Sequence, residues 1–155
     1  MPRLLRIPEA ASLGIHAAVA IAADPDRPTS VRELAERLGA SEAHLAKVMQ
    51  RLVKARIVNS TRGPKGGFRL ERAADGISLL DIYEAIEGVV EPATCLFGTP
   101  ACGRETCVFG GYLEEFDSRF RSYLANTKLS DLDQQGELVQ QQEATDGRPQ
   151  TDHQD

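Results

Sequence analysis

No cysteine occurs outside residues 95–107. That one stretch, CLFGTPACGRETC, holds Cys95, Cys102 and Cys107. An odd number of thiols on a Gly- and Pro-containing loop cannot all pair as disulfides. Long apolar runs are missing too. The run from Leu13 to Ala23 is too short to span a membrane, and Asp24-Pro25 follows it at once. No charged-then-apolar leader stands at Met1. The expected location is therefore the cytoplasm, with no membrane partner, where thiols stay reduced and clustered cysteines read as metal-binding or redox-active. No internal repeat is visible, and neither a GxGxxG after a strand, a P-loop, a GxSxG nor an HExxH is present. The RGPKGG run at 62–67 leads into a strand rather than a helix, so it is not a nucleotide cradle. No enzyme class is indicated. Tryptophan is absent and aromatics make up only 5% of the chain.

What is present is a chain of 155 residues, enough for one domain or a small domain with appendages. A 41% hydrophobic fraction allows a small core. The net charge of −5 hides an asymmetry. Residues 1–75 carry 13 Lys/Arg against 8 Asp/Glu, and residues 76–155 carry 5 against 15. Residues 44–75 alone hold 8 basic side chains against Glu71 and Asp75. The charge that faces a partner is thus local and positive, although the whole chain is acidic.

The periodicities place helices in order. Residues 9–23 read as an Ala-rich helix behind Pro8, with Leu13, Ala17, Ala20 and Ile21 as its apolar stripe. DPDRPTS is a turn and linker. Ser30 is placed to cap VRELAERLG, with Glu33 as its capping-box partner and Gly39 at the end. Ser41 is placed to cap a second helix, SEAHLAKVMQRLVKARIV, whose Leu45, Val48, Met49 and Leu52 face a core. A short helix, a Gly39-Ala40 turn and a basic second helix make a helix-turn-helix. A hairpin follows: Ile57 to Thr61, a turn at Arg62–Gly67, then Phe68 to Leu70. The expected fold class is mainly α with a small β-hairpin wing, a winged helix-turn-helix.

Residues 78–88 form a further amphipathic helix, with Ser78 and Asp81 at its start and Leu79, Ile82, Tyr83 and Ile86 as its buried face. Past the cysteine loop, residues 108–128 carry Val108, Tyr112, Phe116, Phe120, Tyr123 and Leu124 at helical spacing. A helix of that length spans roughly 30 Å. Lying outside a small winged-helix core, it is expected to pack against a second copy as a C-terminal dimerisation helix. The Gln-rich, acidic residues 133–155 read as a disordered tail. The domain layout is then 1–76 for DNA binding, 77–132 for dimerisation helices and the cysteine loop, and 133–155 for the tail.

A recognition helix lies in the major groove with its N-terminal residues nearest the base edges. That nominates Ser41, Ala43, His44 and Lys47. Ala43 suits a thymine methyl, while Ser41 and His44 can donate or accept. Lys47, Arg51 and Lys54 suit phosphates, and Lys65 does so by its charge at the wing tip. Gly63, Gly66 and Gly67 would let that tip approach a backbone closely.

The segments SVRELAERLGASEAHLAKVMQRLVKARIV, STRGPKGGFRL and CLFGTPACGRETC together resemble the IscR/NsrR (Rrf-type) family of bacterial winged-helix transcription regulators, over about Ile7 to Leu132. The resemblance implies a homodimer on palindromic double-stranded promoter DNA. It implies that Arg62, the wing arginine, enters the minor groove. It also implies, for branches with these cysteines, an iron–sulfur cluster that senses redox, nitric oxide or iron–sulfur status.

Thiolates are the usual iron–sulfur ligands, and zinc would take the same set. The family's commoner spacing has five residues between successive cysteines. Here there are six and then four, so Cys95 and Cys107 keep the family separation while Cys102 has shifted by one. The family's fourth ligand is a His three residues after the last Cys in one branch, where this chain has Gly110. In a second branch it is a first-helix Asp, where this chain has Ser12. A third branch uses a first-helix Glu and His beside two Cys. Its His falls on His16, and its Glu again on Ser12, with Glu9 about one turn earlier. His16 is the first-helix candidate; His44 and His153 are poorer ones. Two or three Cys with His16 favour 2Fe–2S, the preferred type. Three Cys with an oxygen ligand or a small molecule would favour 4Fe–4S. A regulator with another metal, or using its cysteines as thiol sensors, remains the alternative. An electron-transfer or catalytic iron–sulfur protein would give the basic wing no purpose.

Overall fold

The computed structural model of the chain describes residues 7–63, 66–90 and 108–132. Pro64, Lys65, the three cysteines and residues 133–155, including the tail and His153, lie outside the described residues.

Three helices open the chain: α1 (Glu9–Ala22), α2 (Val31–Leu38) and α3 (Glu42–Lys54). α1 is rich in Ala and small on its inner side. Ala11, Gly14, Ala17, Ala18, Ala20 and Ile21 are buried, so neighbouring helices approach it closely. The closest approach is at Gly14, where an added Cβ would stand 2.1 Å from Ile86 Cδ1. α3 buries the expected Leu45, Val48, Met49 and Leu52. It stops at Lys54, short of the expected end at residue 58, because Arg56 takes φ 55°. The Ile57 N–H then returns to the Leu52 carbonyl at 3.0 Å, closing the helix and aiming the chain into a strand.

Strands β1 (Val58–Thr61) and β2 (Gly67–Leu70) pair antiparallel, with Val58 opposite Leu70 and Thr61 opposite Gly67. Buried Thr29, in the α1–α2 linker, bridges to Phe68 through two backbone hydrogen bonds of 3.0 and 2.9 Å. Arg69 reaches the same linker, donating to the Asp26 carbonyl at 2.5 Å. The wing is therefore tied at its base to the segment that enters the helix-turn-helix.

Helix α4 (Leu79–Glu87) begins with the capping box that the sequence announces. Ser78 Oγ accepts from the Asp81 N–H at 3.1 Å, and Asp81 accepts from the Ser78 N–H at 2.9 Å. Helix α5 (Tyr112–Asn126) is shorter than the expected 108–128; residues 108–111 form a turn. Its 15 residues span about 22 Å.

One hydrophobic core runs through all of this. Ile21, Leu34, Leu45, Met49 and Leu52 share it with Ile77, Ile82, Ile86, Leu124 and Leu129. The core does not break at residue 76: Ile77 is fully buried, and its carbonyl accepts from the Leu129 N–H at 3.0 Å. The C-terminal end of α5 thus joins the core of the helix-turn-helix, whereas its N-terminal half does not.

Candidate nucleic-acid interface and metal centre

Helix α2 and the turn after it hold α3 in place. Ser30 Oγ accepts from the Glu33 N–H at 3.2 Å. The expected return bond from Glu33 is not made, because Arg27 engages the Glu33 carboxylate. That hydrogen bond holds the Glu33 carboxyl below the usual carboxylate range. Gly39 then turns the chain at φ 61°, and the Ala40 N–H returns to the Ala35 carbonyl at 3.0 Å. Ser41 occupies the N-cap position of α3 but makes no side-chain capping bond, contrary to expectation, so its hydroxyl is uncommitted to the helix.

Because one face of α3 is sunk in the core, the opposite face is fixed. Ala43, Lys47, Gln50 and Lys54 recur along it at helical spacing and are exposed. Ser41 stands exposed ahead of them and His44 is half-buried at their edge. Neither Lys47 nor Lys54 has a hydrogen bond or ion pair among the described residues. Gln50 is the member of this stripe that the sequence reading passed over. Its place between Lys47 and Lys54 was the available signal, and its amide matches the donor–acceptor edge of adenine. Arg51 is turned elsewhere: its Nη1 donates to the Ile86 carbonyl of α4 at 2.7 Å.

The wing presents Arg62 directly after β1, exposed and without a partner among the described residues. Two of its glycines are needed by the hairpin itself. A Cβ on Gly66 would meet the Thr61 carbonyl oxygen at 2.2 Å, and one on Gly67 would meet the Thr29 backbone at 2.8 Å. Lys65 lies outside the described residues.

On α1, His16 is exposed, and its Nδ1 lies 2.7 Å from the Ser12 carbonyl oxygen. A carbonyl only accepts, so Nδ1 donates, and in the neutral imidazole Nε2 is then the nitrogen free to bind a metal. This is the tautomer of a metal-binding histidine, whose second nitrogen is commonly held by a carbonyl. The donor chemistry therefore fits a metal or cluster. Glu9 is exposed one turn before Ser12. Gly110, where one branch of the family would have its His, lies exposed in the turn before α5 with φ 55°. Cys95, Cys102 and Cys107 lie outside the described residues. Among the described residues no three His, Cys, Asp or Glu side chains gather as a metal site.

The N-terminal half of α5 carries an uncovered apolar face. Tyr112 is 76% exposed and Phe116 50%, with Val108 and Phe109 exposed in the preceding turn. Phe116 stacks on Phe120 with ring centroids 6.0 Å apart. Beside them a groove of about 180 Å³ runs between α4 and α5, lined by Leu80, Tyr83, Phe116, Phe120 and Leu124. Burial there pushes the Tyr83 phenol up, with help from Glu87 and Asp117. No helix among the described residues is long and apolar enough to cross a membrane.

A family model described as "Rrf2: Iron-dependent Transcriptional regulator" matches residues 7–135. A putative HTH-type transcriptional regulator, BadM, from Rhodopseudomonas palustris is 39% identical over 83 residues, 54% of this chain and 53% of that protein. The HTH-type transcriptional regulator IscR of Escherichia coli is 31% identical over 120 residues, 77% of this chain and 70% of that one. Among solved structures, CymR, the global cysteine regulator of B. subtilis, superposes with a TM-score of 0.70 at 26% identity, covering 84% of this chain and 98% of its own. T. potens IscR superposes with a TM-score of 0.67 at 25% identity, covering 94% and 95%.

Proposed function

The chain belongs to the Rrf2 family of transcriptional regulators, and from that premise we propose that it is a homodimeric, cytoplasmic promoter-binding protein whose DNA affinity depends on an iron–sulfur cluster. Its relatives regulate transcription and are not enzymes, and the same holds for this chain.

In this reading α3 enters the major groove. Ser41, Ala43, His44 and Lys47 meet base edges from its N-terminal half, while Lys54 and Lys65 bind phosphates and position the protein. Arg62 enters the minor groove. Arg51 serves α4 before it serves DNA, since its guanidinium is already held by the Ile86 carbonyl. The exposed stripe of Tyr112 and Phe116 packs against the same stripe of a second copy, which sets the spacing of two α3 helices on a palindromic site.

The observation that carries the metal half is the set of three thiols within thirteen residues in a chain with no other cysteine. Cys95, Cys102 and Cys107 would hold the cluster, with His16 Nε2 as a further ligand, and 2Fe–2S is the type that a Cys/His set favours over 4Fe–4S. When bound, such a cluster supplies a centre whose oxidation, loss or reaction with nitric oxide is the signal. The chain's own part is to present thiolates, to hold His16 in its Nε2-basic tautomer through the Ser12 carbonyl, and to join that region to α4 and α5.

A second reading is favoured by the likeness to CymR, described as a cysteine regulator: the same thiols would act without a cluster. Anaerobic purification separates the two. The cluster reading expects a coloured protein with iron and acid-labile sulfide in equal amounts. A colourless protein that takes up neither on reconstitution, yet changes DNA affinity on thiol oxidation, supports the second.

A further inference from the structure

The C-terminal end of α4 is an unusual helix end. Its last turns carry Glu84 and Glu87 and no basic residue, although the carbonyl end of a helix favours cations. The missing positive charge comes from two other helices. From α3, Arg51 Nη1 donates to the Ile86 carbonyl at 2.7 Å. From α5, Arg121 Nη1 donates to Glu84 Oε1 at 2.8 Å and to the Val90 carbonyl at 2.8 Å. The Val90 N–H in turn donates to Glu84 Oε1 at 3.3 Å. Gly88 makes this closure possible: with φ 95° it turns the chain after α4, so that Val90 comes back against Glu84.

Four segments thus meet at one helix end: the recognition helix α3, α4 itself, α5 and residues 88–90 that follow α4. Each of these bonds has a charged side chain as donor or acceptor, although Arg51 is exposed and the Arg121 side chain is 41% exposed. Arg51 and Arg121 do not touch each other. They grip the same turn of α4, one on its backbone and one on its side chain.

We propose that Arg51 and Arg121 are positioning residues for DNA reading, joining the chain at Val90 to the recognition helix through the last turn of α4. The proposal rests on the DNA-reading role given to α3 above. A displacement at Val90 pulls on Glu84 and Arg121, shifts the Ile86 carbonyl and, through Arg51, tilts α3. A merely structural clamp would stabilise the fold without carrying such a displacement.

The test uses the full chain and needs neither operator nor cluster. All three cysteines lie at 95–107, so alkylation with N-ethylmaleimide modifies that stretch alone. Hydrogen–deuterium exchange is then compared before and after alkylation, for the native sequence, Arg121→Gln and Arg51→Met. In the native sequence, exchange should change in peptides covering residues 84–90 and in α3. In Arg121→Gln the change should stop before α4. In Arg51→Met it should reach α4 but not α3, with Arg51→Lys restoring it. An α3 that responds equally in all variants, or in none including the native sequence, overturns the proposal. Its failure leaves the iron–sulfur reading untouched, because that reading is judged on iron, sulfide and colour.

Discussion

Gly14 of α1 sits so close to Ile86 of α4 that a Cβ at position 14 would lie 2.1 Å from Ile86 Cδ1. The contact fixes where α1, and with it His16, stands relative to α4. Gly14→Ala should force the Ile86 Cδ1 methyl, the far end of a rotatable side chain, to shift, at a cost of about 1 kcal/mol that the better helix propensity of Ala partly offsets. Ile86→Val removes the offending methyl, so the same Gly14→Ala change should cost clearly less in that background. Urea unfolding of the four proteins measures the coupling, and strictly additive effects would show that the two residues do not constrain each other.

Arg56 holds φ 55°, a left-handed conformation that costs a non-glycine residue about 1 kcal/mol or more. Arg56→Gly should raise the thermal midpoint, whereas Arg56→Ala, which keeps a Cβ, should not. Equal midpoints for Arg56→Gly and Arg56→Ala, both of which remove the charge, would mean that the backbone carries no strain there.

Arg62 and Lys54 should differ in kind. Arg62→Ala should weaken binding to a selected duplex by roughly 1–3 kcal/mol and flatten its preference among sequences. Lys54→Ala should weaken all duplexes alike and lower the salt slope by about one. Lys47, at the junction of the two roles, should show both effects. A gel-shift titration across salt concentrations reads all three, and an unchanged affinity for Arg62→Ala would remove the wing from the interface.

Phe116 is half exposed and Tyr112 more so, on a helix whose buried end alone joins the core. Phe116→Glu should therefore convert a dimer to a monomer by light scattering while the far-ultraviolet circular dichroism is retained. A protein that remains dimeric, or that unfolds outright, would place the interface elsewhere or make Phe116 part of the core.

Much of the fold was legible because its signals are local. The buried set on α3 follows from period alone, and the Ser78–Asp81 capping box is written in adjacent residues. The failures have separate causes. Glu33 was expected to close a capping box and instead binds Arg27 across the linker. Ser41 sits at an N-cap without capping. The end of α3 was overrun because no glycine or proline marks it; an arginine in a left-handed conformation does the work. At the site, the exposed face of α3 could be read as the complement of its apolar face. That Arg51 would point to α4 could not, since residues 51 and 86 are joined only by the tertiary fold. The tautomer of His16 was equally hidden, because it depends on the distance to the Ser12 carbonyl.

The most direct test of the account is a titration of one selected promoter duplex with cluster-loaded and metal-free protein, at equal dimer concentration and under anaerobic conditions. The account predicts affinities that differ by roughly tenfold or more, within the 5- to 150-fold range usual for coupled sites. It also predicts that His16→Ala alters the visible spectrum of the loaded form. Equal affinities for the two forms, with the loaded form verified by its iron and sulfide content, would contradict it.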